Sequence, residues 1–162
     1  MTPTQICDEI KRLHYKRICL TGGEPLLQKE IGQLLEKLKG YIITIETNGS
    51  IPLNSIKLGS GHSFVMDMKT PSSGCCNQMH FANFNYLKDT DEIKFVIGSR
   101  EDYEWARRII GDYQKKGAIT FSPVFGKIIY KDIVNWILED KLDVRFQIQL
   151  HKIIWEPDMR GV

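Results

Sequence analysis

The sequence is short of the features that mark a membrane, secreted or nucleic-acid-binding chain. No apolar run approaches the roughly 18 residues that a bilayer-spanning helix needs, and Met1 is not followed by a basic-then-apolar leader. Cysteine occurs only at 7, 19, 75 and 76, without the regular spacing of a secreted disulfide framework. An excess of one charge is missing too: 22 Lys plus Arg stand against 20 Asp plus Glu, with no basic block to meet a phosphate backbone. There is no internal repeat. These absences predict a reduced, cytoplasmic protein with no direct nucleic-acid partner and no membrane partner.

What remains is ordinary for a globular chain. Hydrophobic residues make up 42% of 162 positions and charged residues 26%, enough to build one core without staples. A single domain over residues 1–162 is expected. Thr2, Pro3 and Gln5 form a capping-box start, and Ile6, Ile10 and Leu13 place one apolar stripe on the helix that follows. Ile18-Cys19-Leu20, Tyr41 to Ile45, Phe64-Val65-Met66, Ile93 to Ile97 and Ala118 to Phe121 read as short apolar strands. Leu27, Ile31, Leu34, Leu35 and Leu38 predict a helix stopping near Gly40. Further helices are expected around Trp105 to Tyr113 and Ile129 to Ile137. The alternation Val144, Phe146, Ile148, Leu150 predicts a final strand with one polar face. Strands alternating with helices predict an α/β fold with a mainly parallel sheet.

In such sheets ligands bind at the carboxyl ends of the strands. The polar and glycine-rich residues gather there: Thr21-Gly22-Gly23-Glu24, Glu46-Thr47-Asn48, Asp67-Met68-Lys69, Ser122-Pro123, and Gln147, Gln149 and His151. A small-molecule site on one shared rim is the expectation. Each piece has a plainer reading: a strand-to-helix turn for the glycines, a helix cap for Glu24, solvated residues for Glu46, Lys69 and His151. Cys7 and Cys19 read as small core residues, and Cys75-Cys76 suit neither a zinc ligand pair nor a disulfide.

Taken in order, Thr21-Gly22-Gly23-Glu24-Pro25-Leu26-Leu27-Gln28, Ile45-Glu46-Thr47-Asn48-Gly49-Ser50 and Asp67-Met68-Lys69-Thr70-Pro71-Ser72-Ser73-Gly74 resemble radical S-adenosylmethionine enzymes. More narrowly they resemble the 7-carboxy-7-deazaguanine synthase family. Asp91 to Ile97, Phe121-Ser122-Pro123-Val124 and Gln149 to Trp155 carry the resemblance nearly to the C-terminus. It implies a partial (β/α) barrel of the radical S-adenosylmethionine type. It also implies a carbon–nitrogen lyase of queuosine and 7-deazapurine biosynthesis, one that converts 6-carboxy-5,6,7,8-tetrahydropterin to 7-carboxy-7-deazaguanine with loss of ammonia. S-adenosylmethionine, a [4Fe-4S] cluster and Mg2+ are the implied cofactors, the pterin the implied small-molecule partner, and a homodimer the implied assembly. At matching positions, Thr21 and His151 would contact substrate. Gly23 and Glu24 would hold the amino group of S-adenosylmethionine. Glu46, Asn48, Asp67, Met68, Lys69, Ser122, Pro123, Val124 and Phe125 would line the rest of the cofactor.

The family's cluster-binding cysteine loop, its magnesium ligand and its first strand lie ahead of the helix at which this sequence opens. The expectation is therefore a domain truncated at its N-terminus, lacking ligands for cluster and metal, with an uncovered strand edge that favours low stability or self-association. Two alternatives stand beside the enzyme. One is a non-catalytic S-adenosylmethionine-binding remnant. The other is a radical S-adenosylmethionine activase, which shares the Gly-Gly-Glu-Pro turn but not the Asp67-to-Pro71 stretch or the His151-Lys152 ending. A dinucleotide-binding domain is disfavoured because no G-x-G-x-x-G opens a helix.

Overall fold

Strand pairing organises the chain. The computed structural model describes residues 1–159, in which six strands form one sheet in chain order, every neighbouring pair parallel. The strands are β1 (Arg17–Leu20), β2 (Ile42–Thr47), β3 (His62–Met68), β4 (Glu92–Ile97), β5 (Ala118–Pro123) and β6 (Arg145–Phe146). The sheet is open: β1 and β6 are its two edges, so the architecture is an arc of a barrel and not a closed one.

Helix α1 (Pro3–Leu13) begins as its sequence predicts. Thr2 Oγ1 accepts from the Gln5 amide at 3.3 Å, and Gln5 Oε1 accepts from the Thr2 amide at 2.8 Å. Helices α2 (Ile31–Lys37), α3 (Arg100–Tyr113) and α4 (Tyr130–Glu139) cross between β1 and β2, β4 and β5, and β5 and β6. The two central crossovers carry no α-helix, only short 3₁₀ turns at Leu53–Ser55, Pro71–Ser73, Cys76–Gln78 and Phe81–Asn85. A short α5 (His151–Ile154) follows β6.

Helices α1 to α4 pack on one side of the sheet. Ile43, Ile45, Phe64, Met66, Met68, Ile93, Phe95, Ile97, Ile119 and Phe121 alternate onto that face and join Leu34, Leu35, Tyr103, Ala106 and Ile133 from the helices in a single core. Phe121 stands edge-on to both Phe95 and Tyr103, ring centroids 5.7 Å apart. Burial raises the pKa of the Tyr103 phenol, as does its donation to Asp140 Oδ2 at 2.7 Å.

Three expectations are corrected. The final strand is two residues, not Val144 to Leu150. Gln147 N still donates to the Phe121 carbonyl at 2.9 Å, but the next rung would need an N–H from Pro123, which has none. The predicted Leu27–Leu38 helix is divided. Glu24 caps a 3₁₀ turn over Pro25–Leu27, Gln28 is extended, and α2 starts only at Ile31, which leaves Leu27 exposed. Cys19 is not a core residue: on edge strand β1 it faces away from the helices and is exposed, whereas Cys7 is buried as expected.

His62 opens β3 with its ring in the core, 4% exposed; Nδ1 accepts from the Gly59 amide at 3.2 Å and Nε2 has no partner among the described residues. Burial pushes its pKa down. As pH falls below the ordinary histidine value near 6.5, the unfolded chain takes up a proton that folded His62 refuses, so stability declines. The urea midpoint is expected to drop more between about pH 7.5 and about pH 5.5 in the wild type than in His62→Gln, and equal drops would remove His62 as the cause.

Candidate functional site

The uncovered face of the sheet is polar, and the strand register fixes how its side chains line up. In parallel strands, paired residues share a face. One row runs Cys19, Thr44, Ser63; the next runs Glu46, Val65, Glu92, Ala118; the next Asp67, Lys94, Thr120, Arg145; and Val96 pairs with Ser122 above them. This alternation in β2 to β5 is a signal that sequence reasoning missed. Read as short apolar runs, the strands hide the polar partners that alternate through them. Lys94, Ser63 and Thr44 escape the sequence analysis for that reason.

Because all six strands are parallel, every carboxyl end lies along one edge. The expected glycine pair, acidic tip and serine–proline bend therefore share a rim. At the β1 tip, Gly22 and Gly23 take φ of +95° and +54°, a region open to glycine at little cost, with nothing within 4 Å of where a Cβ would stand. Thr21 is exposed, and its hydroxyl donates to Glu46 Oε2 at 3.5 Å. Glu24 turns inward. Its Oε1 accepts from the Leu26 amide and Thr47 Oγ1, both at 3.0 Å, and its Oε2 from the Asn48 amide at 2.6 Å. The carboxylate thus buckles the tip of β1 to that of β2, the capping role allowed for it from the sequence. Asn48 Oδ1 is occupied by Ser50 N and Oγ.

The tips of β3 and β4 are held by a second buried carboxylate, Asp102, in the first turn of α3. Its Oδ1 accepts from the Ser72 amide at 2.9 Å; its Oδ2 accepts from Ser72 Oγ and from the Gly98 amide at 2.9 Å. Burial works to raise its pKa, but these donors outweigh it and hold the carboxyl below the usual range. Gly98 is hemmed in: a Cβ there would lie 3.2 Å from both Ser72 Oγ and Val124 Cγ2. Val124 N donates to the Ile97 carbonyl at 2.8 Å, tying in β5.

Between these tips lies a crevice of about 260 Å³ lined by Asp67, Lys69, Thr70, Val96 and Val124. Lys69 pairs with Asp67 Oδ2, while Asp67 Oδ1 is buried without a partner among the described residues. A wider groove of about 650 Å³ runs beside edge strand β1, with Leu20, Thr21 and Gly22 along it. Met68 and Pro123 turn into the core, so only their backbone groups face the rim. Ser122 lies on the polar face but is 2% exposed. Phe125 is exposed beneath the Lys152 ammonium, 5.3 Å from its ring. His151 is exposed at the start of α5, beyond β6, so the two expected substrate contacts, Thr21 and His151, stand at opposite ends of the strand order.

Comparison with known proteins settles the family. The chain is 45% identical to a 7-carboxy-7-deazaguanine synthase of Clostridium acetobutylicum over 169 aligned positions, covering 100% of this chain and 76% of the relative. It belongs to the 7-carboxy-7-deazaguanine synthase family. A second synthase, from Koribacter versatilis, is 37% identical over 100% of this chain and 79% of its own. One from Methanospirillum hungatei is 42% identical, with 62% of its length covered. The crystal structure of QueE from Escherichia coli superposes with a TM-score of 0.71 at 18% identity, over 92% of this chain and 64% of that one, which shows the shared fold. No family model matches the chain.

The synthase family's implied iron–sulfur cluster does not fit the residues described. Cys7 is buried in α1, Cys19 lies on the polar face, Cys75 and Cys76 sit in the β3–β4 loop, and among the described residues no three His, Cys, Asp or Glu side chains gather to hold a metal. Burial and then the neighbouring Glu46 raise the Cys19 pKa, which keeps it a thiol at neutral pH. No described helix is long and apolar enough to cross a membrane.

Asp102→Ala strands three donors of the rim at once. It is expected to lower unfolding free energy by about 2–4 kcal/mol, against about 1 kcal/mol for Ser72→Ala, which removes a single donor. Urea denaturation measures both, and equal losses would show that Asp102 does not gather the tips.

Proposed function

We propose that this chain provides the ligand-binding face of a 7-carboxy-7-deazaguanine synthase. It would take S-adenosylmethionine and 6-carboxy-5,6,7,8-tetrahydropterin in a carbon–nitrogen lyase reaction that yields 7-carboxy-7-deazaguanine and ammonia. The observation that carries the reading is the polar sheet face meeting a rim that holds Thr21 to Glu24, Glu46 to Asn48, Asp67 to Lys69 and Ser122 to Phe125. In the family's reaction S-adenosylmethionine would supply a 5′-deoxyadenosyl group for hydrogen abstraction only on receiving one electron from a cluster, which the described residues do not hold.

The chain's own residues bind and orient. The Gly22-Gly23 turn presents backbone with no side chain in the way, so the amino group of the cofactor can approach closely. Glu24 acts one step back, as the buckle that fixes this turn against Asn48. Glu46 faces the same space from β2 with an exposed carboxylate, and Asp67 Oδ1 offers an unused acceptor for a hydroxyl or N–H of the ligand. Ser122 and Thr120 line the floor, and Phe125 gives a planar wall at the β5 tip. Thr21 and His151 address the pterin from the two ends of the arc. Positioning of this kind matters because a hydrogen-abstracting group must be generated beside its target and away from water.

The scattered cysteines favour a second reading for the chain by itself: S-adenosylmethionine binding without turnover. Calorimetry with S-adenosylmethionine is expected to give saturable one-site binding, weakened several-fold by Glu46→Ala, and a folded sample that releases no heat would remove the assignment. Iron and sulfide analysis after anaerobic reconstitution then separates catalysis from binding. A stoichiometric cluster with cofactor cleavage favours turnover on this chain, and its absence favours the binding-only reading.

A further inference from the structure

From the Glu46 row up to the tips, six charged side chains stand on the polar face: Glu46, Asp67 and Glu92 against Lys69, Lys94 and Arg145. Lys69 pairs with Asp67, and Arg145 reaches Glu92 at 4.0 Å. Glu46 accepts from the Thr21 hydroxyl. Among the described residues Lys94 has no carboxylate within 4.0 Å, although the register puts it on the strand next to Asp67 with Thr120 on its other side. It is half-buried at the middle of β4, on the face opposite the helices of the core. With its stem along the sheet and no protein carboxylate beside it, the ammonium is free to pair with an anion brought to that face.

We infer that Lys94 is the carboxylate-holding residue of this face, completed by a ligand's carboxylate and not by the protein. The inference rests on the function proposed above, which brings two ligands that carry such a group: the amino-acid end of S-adenosylmethionine and the 6-carboxylate of the pterin. The geometry suits either. Glu46 lies two strands and one row away, about 12 Å between Cα atoms from strand spacing and rise. Their side chains therefore bracket a span the size of an amino-acid end or a bicyclic ring, with an acceptor at one end and a cation at the other.

Calorimetry of this chain with four ligands tests the assignment and identifies the source. The ligands are S-adenosylmethionine, its decarboxylated analogue, 6-carboxypterin and pterin. Lys94→Met is expected to weaken the carboxylated member of one pair about tenfold or more and to leave its counterpart, and the other pair, within about twofold. Lys94→Arg should retain most of the affinity, and thermal midpoints should confirm that both variants fold. The responding pair names the carboxylate. Unchanged affinities in Lys94→Met, or equal weakening of carboxylated and uncarboxylated members, would overturn the inference while leaving the function intact. A folded wild type that binds none of the four would overturn both.

Discussion

Six parallel strands laid down in chain order constrain everything else. A crossover between parallel neighbours is right-handed, and successive crossovers that always move the same way across the sheet must all fall on the same side. Three helices and the irregular central connections therefore share one face, and no described crossover covers the other. A doubly wound sheet reverses direction and opens its ligand crevice at that reversal. Here the order never reverses, so the ligand space is the uncovered face and the edge where the strands end, as in a barrel.

That constraint explains which parts of the fold were legible. The start of α1 was, because the Thr2–Gln5 capping box is local chemistry, whereas α2 starts at Ile31 and not at Leu27. The five main strands were, because apolar β-branched runs between glycine-rich turns are local too. The two-faced character of β2 to β5 was harder to see, since Thr44, Val65 and Val96 are small or apolar enough to pass inside an apolar run. Pattern alone then misled in the other direction at residues 144–150. Strand length there depends on what the neighbouring strand can donate, and Pro123 ends the ladder from across the sheet.

The candidate site was legible as a set of motifs but not as a set of roles. Sequence placed Thr21, Gly23, Glu46, Asp67 and Ser122 on strand ends, and the parallel topology brings those ends to one edge. It gave no means of telling Glu24, whose carboxylate is occupied by Leu26, Thr47 and Asn48, from Glu46, whose carboxylate is exposed. Both are glutamates beside a strand end, and only the direction of the chain after β1 separates them. Asp102 stands 30 residues along the chain from its partner Ser72, and the groups it holds are mostly backbone amides of other loops, which leave no trace in a sequence.

Both edges of the sheet show why particular side chains serve as pins, Glu24 and Asp102 at the rim and Asp91 at the amino end of β4. Glu24, Asp102 and Asp91 are each buried and each gather donors from separate segments; Asp91 takes the Phe64 amide at 2.8 Å and the Lys88 amide at 2.7 Å. Strand ends and helix starts leave N–H groups without partners, and an ionised carboxylate is acceptor-only, with room for several donors. An amide in its place would set N–H against N–H. Asn83 proves the converse. It is fully buried, and the segment after β2 offers it two carbonyls, Gly49 and Ile51, and one N–H, Leu53. Only an amide satisfies that mixture, donating twice and accepting once. The loops that shape the ligand face are thus fixed by matching each pin's donor and acceptor count to the backbone groups its position leaves free. The rim is held in place while the exposed side chains that face the ligand stay available to it.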